Sequence, residues 1–241
     1  MWKGEGMSIE EGAVWSRPDD GTAPLIVLLH GRGGTEQDLV RLFPFLPDDV
    51  VAVSLRGPLP RRDGYSWFSV PPDPGGRPAK EAAAEHVAPA SDAVLAWIAE
   101  RDGSTVARVD GSTDAQDEIA PRRPVAVVGY SQGGAVAIHM MRRAPRAVDT
   151  AVLIAALLGT GDEEGDDVLL EVRPPVYWMR GLRDEAITLM DVQRVAYFLP
   201  PHSTLTTAEH PLLGHDLSDT FLAAAGAYVT RWVDGLARSE D

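Results

Sequence analysis

Residues 125–134 read VAVVGYSQGG, and this stretch constrains the fold more than any other part of the chain. Val125, Ala126, Val127 and Val128 are small or β-branched and uninterrupted by polar residues, so they predict a strand buried on both faces. Gly129 follows, and Gly133 and Gly134 stand where a helix begins near Gln132, so the chain turns sharply from strand into helix at Ser131. Such a Gly-x-Ser-x-Gly turn needs neighbours without a Cβ, because strand, helix and any bound molecule must all approach the serine closely. Ser131 is therefore a candidate nucleophile held at the sheet edge. The backbone N–H of Gln132 lies at a helix N-terminus, where free donors and the helix dipole favour a negatively charged oxygen. The five-residue pattern is common by itself, and the strand before it and the helical GGAVAIHMMRR after it give it its weight.

A second buried strand, residues 25–29 (LIVLL), runs straight into His30, Gly31, Arg32, Gly33 and Gly34. Glycine-rich loops at the carboxyl ends of buried strands are where open α/β sheets place their sites. The backbone N–H of Arg32 is a candidate second donor to an oxyanion, opposite Gln132, and a plain strand-to-helix turn is the competing reading. A phosphate loop is excluded, since no Lys followed by Ser or Thr comes after the glycines.

Further strands are expected at 50–55, 151–158, 176–180 and 203–208. Helices are expected at 37–45, 132–143, 187–199 and 218–236, and over 79–101 with a break at Pro89. Strand alternates with helix almost throughout, which predicts an α/β fold with a mostly parallel sheet between helices. With 241 residues, 44% of them hydrophobic, the chain suits a single domain over 1–241. Residues 1–23 form a polar lead-in with an edge strand around 13–15, and Met7 is an alternative start to Met1. Residues 59–80 read as a long Pro- and Gly-rich loop whose Tyr65, Trp67 and Phe68 cover a core edge or wall a pocket. Residues 102–123 and 159–171 read as exposed surface insertions, and the acidic run 162–167 as solvated charge, its spacing unlike an EF-hand loop.

A net charge of −14 repels phosphate backbones and anionic lipid surfaces, so nucleic-acid binding and membrane insertion are not expected. Cysteine is absent, which removes thiolate nucleophiles and cysteine metal sites. The start lacks a basic segment followed by an apolar one, and the longest apolar run is too short to cross a bilayer, so a cytoplasmic protein is the default.

A serine hydroxyl is a weak nucleophile at neutral pH and needs a base, which in turn needs an acid to fix its tautomer. At a turn of this kind the partners follow later in the chain, the acid first and the histidine last. His202, His210 and His215 lie in that window; His215 is preferred for its place in a short loop before a helix, with His210 the runner-up. Asp184, one tight turn after the strand VYWMR, is the preferred acid over Asp149, Asp191 and Asp216.

HGRGG, SLRGP, YSWF, GYSQGG, RGLRD and GHDLS occur here in the order seen in the phospholipase/carboxylesterase family of α/β-hydrolases, which includes the acyl-protein thioesterases, and from residue 25 onward the chain resembles that family. The resemblance implies an α/β-hydrolase fold without a separate cap domain, with Ser131 as nucleophile, His215 as base, Asp184 as its acid, and the amides of Arg32 and Gln132 as oxyanion donors. It implies a cofactor-free and metal-free hydrolase of small-molecule esters or thioesters, commonly a homodimer. His30, Gly31, Trp67, Phe68 and Leu157 are the expected pocket residues. Esters of small to medium acyl groups are favoured, with an acyl-protein thioesterase or lysophospholipase as the alternative and a non-catalytic ligand-binding module as the reading of another class.

Overall fold

The computed structural model describes residues 9–70, 83–102 and 122–239. Its framework is a seven-stranded sheet whose strands, in chain order, are β1 (Val14–Trp15), β2 (Leu25–Leu29), β3 (Val51–Leu55), β6 (Val125–Tyr130), β7 (Thr150–Ile154), β8 (Pro175–Gly181) and β9 (Thr204–His210). Two further strands, β4 (Leu59–Arg61) and β5 (Gly64–Ser66), pair only with each other. Across the sheet the order is β1-β3-β2-β6-β7-β8-β9, with every pair parallel except β1 with β3.

The uninterrupted apolar strands lie in the middle, and β2, β3 and β7 are buried at every position. Their period of two divides the core. Leu25, Val27 and Leu29 face one layer and Ile26 and Leu28 the other. The first layer is closed by α2 (Ala84–Ala99), α3 (Gln132–Arg143), α4 (Asp166–Val172) and α5 (Leu189–His202), the second by α1 (Gln37–Val40) and α6 (Asp219–Ser239).

Several expectations are corrected by non-local contacts. Residues 59–66, expected as loop, form the β4–β5 hairpin, held against the glycine loop by a pair of hydrogen bonds between Gly33, Gly34 and Tyr65. Pro89 does not break its helix: α2 runs through it from Ala84 to Ala99, because burial of Val87, Ala90, Val94 and Ile98 on one face outweighs one missing amide donor. The strand expected at 151–158 ends at Ile154, where Ala155 takes a positive φ of 48°. The 159–171 segment is not loop throughout, since α4 occupies its end, and two of its charges are engaged: Asp166 receives a bidentate pair from Arg142 at 2.6 and 2.8 Å, and Glu163 meets His139, while Asp162, Glu164 and Asp167 are exposed, as expected of solvated charge. The ends of the 102–123 insertion are likewise buried rather than exposed. Asp102 accepts from the backbone of Arg123, whose guanidinium grips Asp19; residues 103–121 lie outside the described residues.

The helix expected at 187–199 begins at Leu189 and continues through Pro200 and Pro201. At its end His202 Nδ1–H donates to Phe198 O and the Ser203 hydroxyl to Leu199 O, both at 2.6 Å, so side chains satisfy carbonyls of the last turn. The last strand extends to His210, so that residue sits on the sheet and not in a loop.

Candidate active site

The carboxyl ends of β2, β6, β8 and β9 all lie at one edge of the sheet, and the loops leaving them bring the candidate residues together. Chain direction reverses its progress across the sheet between β2 and β6, the topological switch point at which open α/β sheets form crevices.

Ser131 occupies the turn from β6 into α3 with φ 52° and ψ −112°, a conformation a residue with a Cβ adopts only under constraint. The glycines explain how the turn is packed. A Cβ on Gly133 would lie 2.0 Å from the Leu29 carbonyl oxygen, and one on Gly129 would lie 2.5 Å from that of Gly133. Either substitution would push α3 off the sheet and move the serine with it.

Ser131 Oγ is 2.9 Å from His215 Nε2, and His215 Nδ1 is 2.7 Å from Asp184 Oδ2. The second carboxylate oxygen of Asp184 accepts from the amides of Ala186 and Ile187 at 2.9 and 3.0 Å, which fixes its plane; its side chain is only 5% exposed. A carboxylate bonded in this way sets Nδ1–H on the imidazole and leaves Nε2 as the basic nitrogen facing the hydroxyl. Asp191, the competing acid, is spent elsewhere. It closes the N-terminal cap of α5, accepting from the Thr188 hydroxyl at 2.6 Å while its amide donates back. His210 and Asp149 are also remote in role, since Asp149 takes a bidentate pair from Arg122.

The glycine loop after β2 faces this relay. Among the described residues no acceptor takes the backbone N–H of Arg32 or of Gln132. His30, expected as a pocket residue, is fully buried and serves as a strut: Gly57 N–H donates to its Nε2 at 2.9 Å and its Nδ1–H donates to Gly31 O at 2.7 Å. Burial lowers its pKa, so it stands neutral in that tautomer. Trp67 and Phe68 are buried beside it. The Trp67 indole donates to His30 O at 2.8 Å, while the Gln132 amide accepts from Trp67 N and donates to Phe68 O, each at 2.9 Å. Leu157 packs against the edge of the core, and Gly31 is buried under Tyr130.

Two contributions escaped the sequence reading. The Gln132 side chain ties the aromatic segment to the elbow helix, and the Tyr130 hydroxyl donates to the carbonyl oxygen of His215 at 2.9 Å, its ring 5.2 Å from the imidazole. Burial, and then the nearby Asp184 charge, push the Tyr130 phenol up to about 12, so it remains a donor throughout the neutral range. Only the position of Tyr130 beside Ser131 hinted at such a part.

A model of the alpha/beta hydrolase family matches residues 26–240. The chain belongs to that family. Among solved structures this hydrolase resembles a carboxylesterase from Mesorhizobium loti, at 20% identity and TM-score 0.65, over 89% of this chain and 91% of that one. It resembles a Bacillus cereus carboxylesterase at 17% and 0.66, over 91% and 93%. Arabidopsis thaliana SOBER1 is similar at 19% and 0.63, over 87% and 99%. Likeness at such identities speaks for the hydrolase fold. No curated protein matches the chain. Among the described residues no helix of this hydrolase is long and apolar enough to cross a membrane.

Proposed function

We propose that this alpha/beta hydrolase is a serine esterase of the phospholipase/carboxylesterase kind, cleaving carboxylic esters of small to medium acyl groups. The observation that carries the reading is the unbroken relay from Ser131 Oγ through His215 to Asp184, at 2.9 and 2.7 Å, on a strained strand-to-helix turn. A non-catalytic module has no need to maintain that strain and that alignment together.

Ser131 Oγ attacks the ester carbonyl carbon as His215 Nε2 takes its proton. The carbonyl oxygen becomes an oxyanion received by the amides of Arg32 and Gln132, while Asp184 holds the imidazolium through Nδ1–H. Collapse breaks the bond to the alcohol, which leaves with the proton from Nε2, and Ser131 keeps the acyl group. Water then attacks the acyl-enzyme, gives its proton to Nε2, and the carboxylic acid departs as the proton returns to Ser131.

A second reading, deacylation of lysophospholipids or acylated proteins, is favoured by one feature of the surface. Leu182, Leu189, Met190 and Leu212 are all exposed and flank the loops that carry Asp184 and His215, a rim suited to a longer acyl chain. Hydrolysis of p-nitrophenyl esters from acetate to palmitate, with wild type and Ser131→Ala in parallel, separates the two. Activity lost in Ser131→Ala and peaking from acetate to octanoate supports the esterase; a peak at palmitate supports the deacylase; activity retained in Ser131→Ala rejects both.

A further inference from the structure

The two edges of the sheet are protected very differently. At one lies β1, two residues long, which offers a neighbour almost no strand to pair with. At the other lies β9, seven residues reading TLTTAEH, with Thr204, Thr206, Thr207 and Glu209 exposed. None of the usual devices blunts this second edge. The strand holds no proline and no lysine, and it pairs with β8 without a break in register. Its one carboxylate, Glu209, is neutralised by Arg180 at 2.6 and 3.0 Å.

The first and last bonds between β8 and β9 run from Thr204 N–H to Pro174 O at 3.0 Å and from Leu182 N–H to His210 O at 2.9 Å. Alternate residues of a strand face the same neighbour, so Thr204, Thr206, Ala208 and His210 bond to β8. Leu205, Thr207 and Glu209 turn both N–H and C=O outward. Among the described residues no partner takes any of those six groups.

The six groups are complementary to themselves. In an antiparallel pair, opposed residues of the hydrogen-bonded kind exchange both bonds. A register that sets Thr207 opposite the partner's Thr207 also sets Leu205 opposite the partner's Glu209, and the reverse, so that every outward group is used about one two-fold axis. A slide to the next such register sets Glu209 against Ser203, which precedes the strand, or Leu205 against Pro211, which has no N–H. Charge favours the same meeting place. On a chain of net charge −14, a strand whose only carboxylate is already paired lets two copies approach without like-charge repulsion. Arg173, without a carboxylate partner among the described residues, donates to Ser203 O at 3.2 Å, two residues before the position that faces the partner's Glu209.

We propose that β9 is the docking edge for a second copy of this chain, the two β9 strands pairing antiparallel about a two-fold axis at Thr207, so that one sheet runs through both copies. The interface stands whether or not Ser131 proves to be a nucleophile.

The test is sedimentation equilibrium of the full chain at micromolar concentration, with a particle of twice the 25.9 kDa chain mass as the expected result. Thr207→Lys sets two ammonium groups opposite each other, and Thr207→Pro removes an N–H that β8 does not need. Both variants are expected to sediment as the single chain and to keep the near-ultraviolet circular dichroism of the wild type. Because the chain has no cysteine, one introduced cysteine reports the register. Under copper phenanthroline as oxidant, Thr207→Cys is expected to form a disulfide-linked pair, its Cα about 5.5 Å from the partner's. Glu209→Cys, displaced from its counterpart by about 14 Å along the strand, is expected to remain unlinked. A wild type that sediments as the single chain overturns the proposal, as does a dimer that survives both Thr207→Lys and Thr207→Pro. So does a Thr207→Cys chain that fails to link, or one that links no better than Glu209→Cys.

Discussion

Tyr130 spends its hydroxyl on the backbone of the residue whose imbalance would be felt first. Its hydrogen bond to His215 O at 2.9 Å and the ring contact at 5.2 Å hold the loop that carries the imidazole, without touching either ring nitrogen. Removing the hydroxyl leaves the ring packed and the relay chemically intact, but lets the base wander. Tyr130→Phe is therefore expected to lower kcat about fivefold, the kinetic equivalent of one hydrogen bond of about 1 kcal/mol, with KM and thermal midpoint nearly unchanged. Steady-state kinetics beside a melting curve checks this. A fall in midpoint matching the fall in rate would mean that Tyr130 supports the fold and not the base.

At the scale of elements, α5 illustrates how a residue chosen for chemistry is distinguished from one chosen for folding. Thr188 and Asp191 exchange hydrogen bonds across the first turn of the helix, one residue past the Asp184 loop. Thr188→Ala is expected to cost about 1 kcal/mol of unfolding free energy in urea and to leave kcat within twofold, because the cap serves α5 and not the imidazole. The elements legible in the sequence are those whose causes are local. The buried strand at 25–29 and the cores of those at 125–130 and 150–154 announce themselves by the apolar runs 25–29, 125–128 and 151–158, the last of which overruns its strand, and the elbow by its glycines. Asp184 is preferred over Asp191 in the sequence because Asp191 falls inside an expected helix, whereas the cap that engages Asp191 with Thr188 is seen only in the structure. The β4–β5 hairpin was not, because Leu59–Arg61 contains a proline and its support comes from Gly33 and Gly34, far back in the chain. The strut role of His30 was hidden for the same reason, its partner Gly57 lying 27 residues away. Nor does any local signal mark the positive φ of Ala155, whose amide donates to Met179 O on β8 at 2.8 Å.

For the whole molecule, two buried histidines couple stability to pH. His30 and His139 both have pKa values lowered from 6.5, chiefly by burial. His139 joins Ser91 on α2 at 2.7 Å to Glu163 before α4 at 3.0 Å, so its protonation state bears on how that layer is clamped. As pH falls through about 6.5 the unfolded chain takes up these protons first, whereas the folded chain resists until its lower pKa is reached. The stability they contribute is thus present above pH 6.5 and lost progressively below it. The urea midpoint is expected to decline from pH 7.5 to pH 5.5, and to decline less in His139→Gln; an identical slope in that variant would remove His139 from the account.

The same sheet that buries these histidines brings four strand ends together, and the central claim is that Ser131 reacts there because His215 and Asp184 activate it. Mass spectrometry of the protein after exposure to a fluorophosphonate tests that claim most directly, with wild type and Asp184→Asn compared over time. The account predicts one adduct per chain, located on Ser131, and labelling of Asp184→Asn slowed by about 10⁴-fold as the imidazole loses its tautomer. An adduct on another residue, or labelling of Asp184→Asn at the wild-type rate, would contradict it.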